Sequence, residues 1–396
     1  MQHLLDAVAS AEQGAILQAL ADVVNLLAAG RAPRDLSPHL AGASLIALSK
    51  EGGDVRPIAV GEVLRRLTSK CLCSTVRASA REFFEPLQVG VGCPLGLEAA
   101  IHTMARYRDR HSGSSQKVIL TIDFQNAFNT MSRSAFLRAC RQQMPAVSAW
   151  ASWCYASPSR LIHNKEVILS QAGVQQGDNL GPLLFSLAIH PVLEQLKVVP
   201  GVDVVIGYLD DIVVAGDAPA VLAAFRLLQA AMPDFTLALN ATKCELIPTA
   251  GADSAADLSD FPSDMKRVGD GCFKFLGTPI GTEEFTTRFT EEKRANKANR
   301  LLDEITWVEE GQFAHKLIMR CMGSARVMHA MRTTRPDWIL PQLRSVDSAV
   351  VGARAATRRP KPGLLADQTG RLRAPKFGKA RGSCIPGISG GDQGPL

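Results

Sequence analysis

Apolar residues recur at helical spacing near the start of the chain, at Ile16, Leu17, Leu20, Val23, Val24 and Leu27, until Gly30 and Pro33 interrupt the pattern. Such a one-sided stripe predicts an amphipathic helix packed on a larger body, within an N-terminal extension over residues 1–40. Two short strands are expected over residues 44–48 and 56–60, around the turn Glu51-Gly52-Gly53-Asp54. Helical spacing returns over residues 62–84 and again near 97–108. A strand is expected over 118–124 and a helix from about Ser132. A second sheet region is suggested by residues 160–170 together with 202–214, with an apolar helix from Gly181 between them. A helix over 218–231, a short strand pair around 274–281 and a helical stretch over 289–332 follow, and no internal repeat is visible. Helices and short strands mixed in one continuous body define the α+β class.

Composition narrows the picture without naming a function. An apolar content of 46% and a charged content of 21% over 396 residues suit a globular protein with a substantial core. No apolar run approaches the ~20 residues of a membrane span. The most apolar stretch, residues 181–193, is interrupted by Ser186 and His190 and reads as a buried helix. The N-terminus carries Asp6 and Glu12 without a signal-peptide layout, so an intracellular protein and no membrane partner are expected. Nine scattered cysteines fit that compartment, and only Cys71 and Cys73 lie close together; reduced thiols are expected in place of a zinc site. Of the 44 Lys and Arg and 38 Asp and Glu, nine cations and two acids fall in residues 351–396. The remaining 35 cations and 36 acids nearly cancel, so any nucleic-acid surface must be a local patch. The basic tail, rich in Gly and Pro, is expected to lack fixed structure, and its Arg358-Arg359-Pro360-Lys361 cluster is too short to establish a nuclear address.

The chemistry lies in carboxylates set among apolar residues. Ile119-Leu120-Thr121-Ile122-Asp123-Phe124 is an apolar strand ending in an acid, and Val204-Val205-Ile206-Gly207-Tyr208-Leu209-Asp210-Asp211-Ile212-Val213-Val214 is an apolar hairpin with two acids at its turn. Paired acids in such a setting repel each other and oppose burial. A hard divalent cation resolves that conflict, since Mg²⁺ takes carboxylate oxygens and keeps positions open for phosphates. Two ions ~3.5–4 Å apart can serve both the attacking and the leaving oxygen of a phosphoryl transfer. In isolation an ordinary exposed β-turn is the better account of Asp210-Asp211, since Asp is common there.

Three ordered motifs change the balance. Asp123-Phe124-Gln125-Asn126-Ala127-Phe128, Gln176-Gly177-Asp178-Asn179-Leu180-Gly181-Pro182 and Tyr208-Leu209-Asp210-Asp211 together resemble the signature of reverse transcriptases, nearest to those of non-LTR retrotransposons and their group II intron relatives. The likeness runs over residues 43–335. It implies a right-hand polymerase fold with fingers and an antiparallel palm over 41–284, a helical thumb over 285–350 and a tail over 351–396. It implies Asp123 and Asp210 as principal metal ligands, Asp211 completing the acidic cluster, and the Phe124 carbonyl touching a metal. Phe128 would be the aromatic gate that excludes a ribose 2′-OH, the group by which the two sugars differ. Gln176 and Gly177 would contact the incoming nucleotide; the family's usual proline is replaced by Asn179. Lys50 and Arg56 would hold the triphosphate, and Lys243 would protonate the leaving pyrophosphate. Phe275, Leu276 and Gly277 would form the primer grip, and Lys316, Arg320, Arg326 and Arg332 fit a phosphate-tracking thumb.

The resemblance therefore implies an RNA-directed DNA polymerase of a retrotransposon-like element, extending a primer 3′-OH with dNTPs on an RNA template. Two Mg²⁺ ions, with Mn²⁺ as a substitute, are the implied cofactors. RNA template, DNA primer or target, and dNTPs are the implied partners; a nuclear location follows from the resemblance alone, and oligomeric state does not follow. No endonuclease or RNase H is visible. An inactive, domesticated RNA-binding protein and an RNA-dependent RNA polymerase are the competing readings; the intact acids speak against the first and Phe128 against the second.

Overall fold

The computed structural model describes residues 13–49, 55–308, 310–322 and 326–358, with residues 6 and 9 besides. Helix α1 (Gln13–Ala28) buries Val24 and Leu27, the inner edge of the stripe seen in the sequence. Strands β1 (Ala43–Ser49) and β2 (Val55–Gly61) pair antiparallel, from Ala43 opposite Gly61 to Ser49 opposite Val55. The turn between them, Lys50 included, lies outside the described residues. Helices α2 (Val63–Thr75), α3 (Arg77–Phe84) and α4 (Gly96–Arg110) lead into β3 (Lys117–Ile122). Helix α5 (Arg133–Gln143) starts at Ser132, whose side chain accepts a hydrogen bond from the Ala135 N–H. That cap satisfies one of the donors a helix start leaves open.

Helix α6 (Pro145–Tyr155) escapes the sequence reading for a physical reason. It buries Val147, Trp150, Ala151, Trp153, Cys154 and Tyr155, so it shows no polar face from which to read a period. Strands β4 (Ser159–His163) and β5 (Glu166–Ser170) form a hairpin. Helix α7 (Gly181–Lys197) is buried along most of its length, as its apolar sequence predicts. Strands β6 (Val202–Tyr208) and β7 (Asp211–Asp217) form the acidic hairpin, followed by α8 (Ala218–Ala231). Short strands β8 (Glu245–Pro248) and β9 (Lys266–Arg267) precede the hairpin of β10 (Phe273–Phe275) and β11 (Thr278–Ile280).

The strands do not sort as the sequence suggests. Residues 160–170 join the first hairpin in a sheet ordered β2-β1-β4-β5, whereas 202–214 join a five-stranded sheet ordered β6-β7-β3-β8-β9. Strand patterning reports which face is buried, and it is silent on the sheet a strand enters. In the larger sheet the alternation is clear. Val118, Leu120 and Ile122 face a core shared with α7 and α8, while Ile119 faces a second core with Ile101 and Met104 of α4 and Phe273 and Phe275. A sheet buried on both faces holds its register, and hence its strand ends, firmly.

The chain divides into two compact units, residues 1–293 with 328–342, and residues 294–327 with 343–396. Helices α9 (Glu283–Thr290) and α12 (Met328–Thr333) belong to the first; α10 (Asn296–Thr306) and α11 (Gly311–Leu317) belong to the second. The expected thumb, 285–350, is thus shared between units. The second unit has its own core of Ala298, Leu302, Ile318, Met322, Val346 and Ala353. Helix α13 (Pro336–Arg358) runs past the expected start of the tail at 351; residues 359–396 lie outside the described residues. Among the described residues no helix is long and apolar enough to cross a membrane.

Candidate active site

Asp123 stands one residue beyond β3. The β3–β7 register ends with Ile122 opposite Ile212, which carries Asp123 to the level of Asp211 on the neighbouring strand. Strands β6 and β7 turn through Leu209 and Asp210, with Tyr208 opposite Asp211. All three acids therefore sit at one end of the sheet. On its other side, the Asp123 carbonyl accepts the Asn240 N–H at 2.8 Å and Gln125 N–H donates to the Ala238 carbonyl at 2.9 Å. In that bridge between Phe124 and Leu239, the Phe124 carbonyl is directed to the opposite edge, toward β7 and the acids.

The carboxylates feel one another. Asp211 has its pKa pushed up to about 6, first by loss of solvent around it, then by the charges of Asp210 and Asp123; Lys274 and Arg56 pull it back. Its surface is still exposed, so solvent screens part of that repulsion. Among the described residues no three His, Cys, Asp or Glu side chains are grouped closely enough to cage an ion. The donor set nevertheless suits Mg²⁺, because hard carboxylate oxygens in excess of local cations are what such an ion neutralises. The elevated pKa carries a stability consequence. Between the ordinary value of 3.8 and about 6 the folded protein binds this proton more tightly than the unfolded chain. Ionised Asp211 thus subtracts stability above about pH 6 and subtracts none below about pH 4. In chelator, Asp211→Asn is expected to raise the melting temperature at pH 7.5 and to leave it unchanged at pH 4. A melting temperature lowered at pH 7.5 would contradict this electrostatic reading.

Two cavities open at the sheet end. One, of about 460 Å³, is lined by Asp123, Asp211, Lys243, Lys274 and the tip residues Phe275, Leu276 and Gly277. The other, of about 400 Å³, is lined by Arg56, Phe128, Gln176, Gly177 and Asp210 with Gln175 and Asp178. Apart from Phe124 and the helical cations Lys316, Arg320, Arg326 and Arg332, every site residue singled out in the sequence and described in the structure lines one of the two. The acids are distributed between them, Asp210 with the basic and aromatic residues and Asp211 with Asp123. Phe128 is stacked on the buried ring of Phe185, centroids 4.9 Å apart and 18° between planes. The β10–β11 hairpin turns through Leu276 at φ +47° and Gly277 at φ +81°, the left-handed pair of a type I′ turn that brings the strands back directly. Of the basic helical residues, Arg332 faces Glu98 at 3.5 Å.

Sequence reasoning missed the supports beneath these residues. Arg65, 1% exposed, donates to the Asp178 carboxylate at 2.7 Å, to Gln175 Oε1 and to the Ala41 carbonyl. Tyr155 donates to the same Asp178 oxygen at 2.6 Å. Burial pulls the Arg65 pKa down, but Asp178 and its hydrogen bond more than offset this, and the guanidinium stays charged. This network holds the 175–178 turn from below. From the other side, the Ala59 N–H of β2 donates to the Gln176 carbonyl at 2.7 Å. Gly177, at φ +118°, allows β2 to approach, since a Cβ there would come 2.4 Å from the Ala59 carbonyl oxygen. The Asn179 carbonyl accepts a hydrogen bond from the Cys73 thiol at 3.4 Å.

The acids gather at one sheet end beside two cavities, and the chain is of the nucleic-acid polymerase class, as its family match shows. More narrowly, it belongs to the reverse transcriptase (RNA-dependent DNA polymerase) family, whose sequence profile matches residues 48–280. The α+β right-hand fold expected from the motifs is the fold of that family. A curated relative is the Retrotransposable element SLACS 132 kDa protein of Trypanosoma brucei gambiense, 27% identical over 281 residues; the match covers 68% of this chain and 22% of that protein's length. Among solved structures, telomerase from Candida tropicalis in complex with a fragment of telomeric RNA is similar at a TM-score of 0.47 and 9% identity, covering 80% of this chain and 54% of that one. Telomerase from Candida albicans in complex with such a fragment is similar at 0.45 and 10%, covering 82% and 60%.

Proposed function

We propose that this chain is an RNA-directed DNA polymerase that extends a primer 3′-OH with dNTPs on an RNA template, as part of a retrotransposon-like element. The observation that carries the reading is the pairing of cavities: Asp123 and Asp211 share one with the 275–277 tip, and Asp210 shares the adjoining one with Arg56, Phe128, Gln176 and Gly177. The first suits a primer end, positioned by Phe275, Leu276 and Gly277. The second suits a dNTP. Asp123, Asp210, Asp211 and the Phe124 carbonyl would hold two Mg²⁺ ions, which when bound supply activation of the primer oxygen and stabilisation of the leaving pyrophosphate. Arg56 steadies the triphosphate by charge-assisted hydrogen bonds, together with Lys50. Gln176 and Gly177 line the same cavity as Arg56 and Asp210 and contact the incoming nucleotide. Lys243, in the cavity with Asp123, is the proton donor to the leaving group. Residues 41–284 act as fingers and palm and 285–350 as thumb, and the element's task puts the protein in the nucleus.

Primer extension on an RNA template with dNTPs and Mg²⁺ tests the reading, with an aspartate variant run beside it. Extension is expected with dNTPs; binding of RNA without extension would favour an RNA-binding role, and efficient extension with rNTPs alone would favour RNA synthesis. The gate gives a second result. Phe128 is stacked against a fully buried ring and cannot easily swing aside, so Phe128→Val is expected to lower the preference for dNTP over rNTP on the order of 10²-fold. Single-nucleotide kcat/KM ratios measure it, and an unchanged ratio would remove Phe128 from sugar selection.

A further inference from the structure

The hairpin that carries Asp210 and Asp211 contains a conformation it does not favour by itself. Leu209, first of the two turn residues, holds φ +60°. Glycine is the residue that accepts this conformation readily, and a bulky side chain is uncommon there. Residues 87–90 lie against it. Val89 N–H donates to the Gly207 carbonyl at 2.8 Å, and Gly207 N–H donates to the Leu87 carbonyl at 2.6 Å. These two bonds pair Gln88 with Gly207 as a parallel bridge beside β6. From that anchor the Gln88 side chain reaches both polar groups of Leu209. Its Oε1 accepts the Leu209 N–H at 2.8 Å, and its Nε2 donates to the Leu209 carbonyl at 3.1 Å. The same Oε1 accepts the Gly90 N–H at 3.1 Å. Since a backbone N–H can only donate and a carbonyl can only accept, the amide has one orientation that satisfies both.

Two glycines make this approach possible. A Cβ on Gly207 would come 2.9 Å from Gln88 Nε2, and one on Gly90 would come 2.8 Å from Leu209 N. Gln88 is itself 0% exposed. A buried glutamine can be no more than a satisfied core residue. Here, however, both ends of its amide go to one residue, and that residue holds the turn's disfavoured φ.

We propose that Gln88 is a positioning residue of the polymerase, holding Leu209 in its left-handed turn and thereby fixing the carboxylates of Asp210 and Asp211 at the cleft. The inference rests on the polymerase reading above, and its test separates the two. Hydrogen–deuterium exchange of the 207–212 backbone and primer-extension kinetics are measured for the wild type, Gln88→Ala, Gln88→Met, Leu209→Gly and the Gln88→Ala/Leu209→Gly pair. Removing the amide is expected to speed exchange in the hairpin and to lower kcat ~10–100-fold with little change in dNTP KM, the result of misplaced reacting groups. Glycine at 209 takes the positive φ without help, so the pair is expected to regain ~10-fold over Gln88→Ala in kcat and to slow hairpin exchange again. General damage to the core would not be repaired by a glycine in the turn. Gln88→Met keeps the bulk and removes the hydrogen bonds, so it gives the same answer if the alanine variant fails to fold. Unchanged hairpin exchange in Gln88→Met, or no recovery on adding Leu209→Gly, overturns the proposal. A wild type that does not extend primers, while hairpin exchange still responds as stated, overturns the polymerase reading and the catalytic role of Gln88 with it, and leaves only the hold of Gln88 on Leu209 standing.

Discussion

Asp210→Ala is expected to reduce RNA-templated primer extension by ~10³-fold or more, because a ligand that neutralises phosphoryl charge is worth several kcal/mol in the transition state. The side chain sits at the tip of the β6–β7 turn and lines the cavity that holds Arg56, Phe128 and Gln176. It is a charge facing a cleft and contributes little packing, so its loss should leave the fold intact. The same loss relieves Asp211 of its largest charge repulsion. In chelator, therefore, the variant should melt no lower than the wild type at pH 7.5, while activity is gone. That combination distinguishes a lost catalytic group from a lost structure. Asp123→Ala is expected to behave alike, since Asp123 supplies the other wall of the acidic cluster. Extension by Asp210→Ala within tenfold of the wild type would end the assignment of Asp210 as a metal ligand.

Much of this site is visible in the sequence because it is built from local patterns. An apolar alternation that ends in Asp123, and another that breaks at Leu209-Asp210, fix two strand ends without knowledge of the rest of the chain. The 175–178 turn and the buried α7 behind it are adjacent in sequence and read as one unit. What sequence patterns do not carry is the partner across distance. Arg65 and Arg66 look alike in a helix that reads as half exposed; only Arg65 is buried, and its carboxylate lies 113 residues on. Gln88 carries no charge and belongs to no periodic segment, and its contact is 121 residues away. Both act on backbone turns whose strain appears only in three dimensions. The glycines beside them were the available signal. Gly90, Gly177 and Gly207 each mark a place where another backbone or an amide comes too close for a Cβ. The division of the 285–350 region between two units was also beyond reach, since helical spacing reports a buried face and not the body it is buried against.

The second large effect concerns stability. Arg65→Ala is expected to destabilise the protein by ~3–5 kcal/mol, because it leaves the Asp178 carboxylate buried without its cation. Both side chains are nearly inaccessible, at 1% and 2%, so water cannot take the place of the guanidinium. The cost is large against a typical domain stability of ~5–15 kcal/mol. It belongs to the unpaired charge and not to the ion pair itself, and a second substitution shows which. Asn at 178 can still accept from Leu180 N–H through its oxygen, as Asp178 Oδ1 does at 3.2 Å, while its Nδ2 takes the place of Oδ2 and donates to the Tyr155 hydroxyl oxygen. Arg65→Met/Asp178→Asn is therefore expected to recover most of the lost stability in urea unfolding, whereas Arg65→Met alone is not. The site should respond differently. Arg65 also holds Gln175 Oε1 and the Ala41 carbonyl, and the double variant removes both bonds, although Gln175 keeps its own to the Ala41 carbonyl and to Ser159. A raised KM for dNTP is expected in the recovered protein, since Gln176 and Gly177 are then less firmly placed. If the double variant melts as low as Arg65→Met, the burial of charge is not what the pair resolves. If it recovers both stability and dNTP KM, the network supports the fold without positioning the nucleotide.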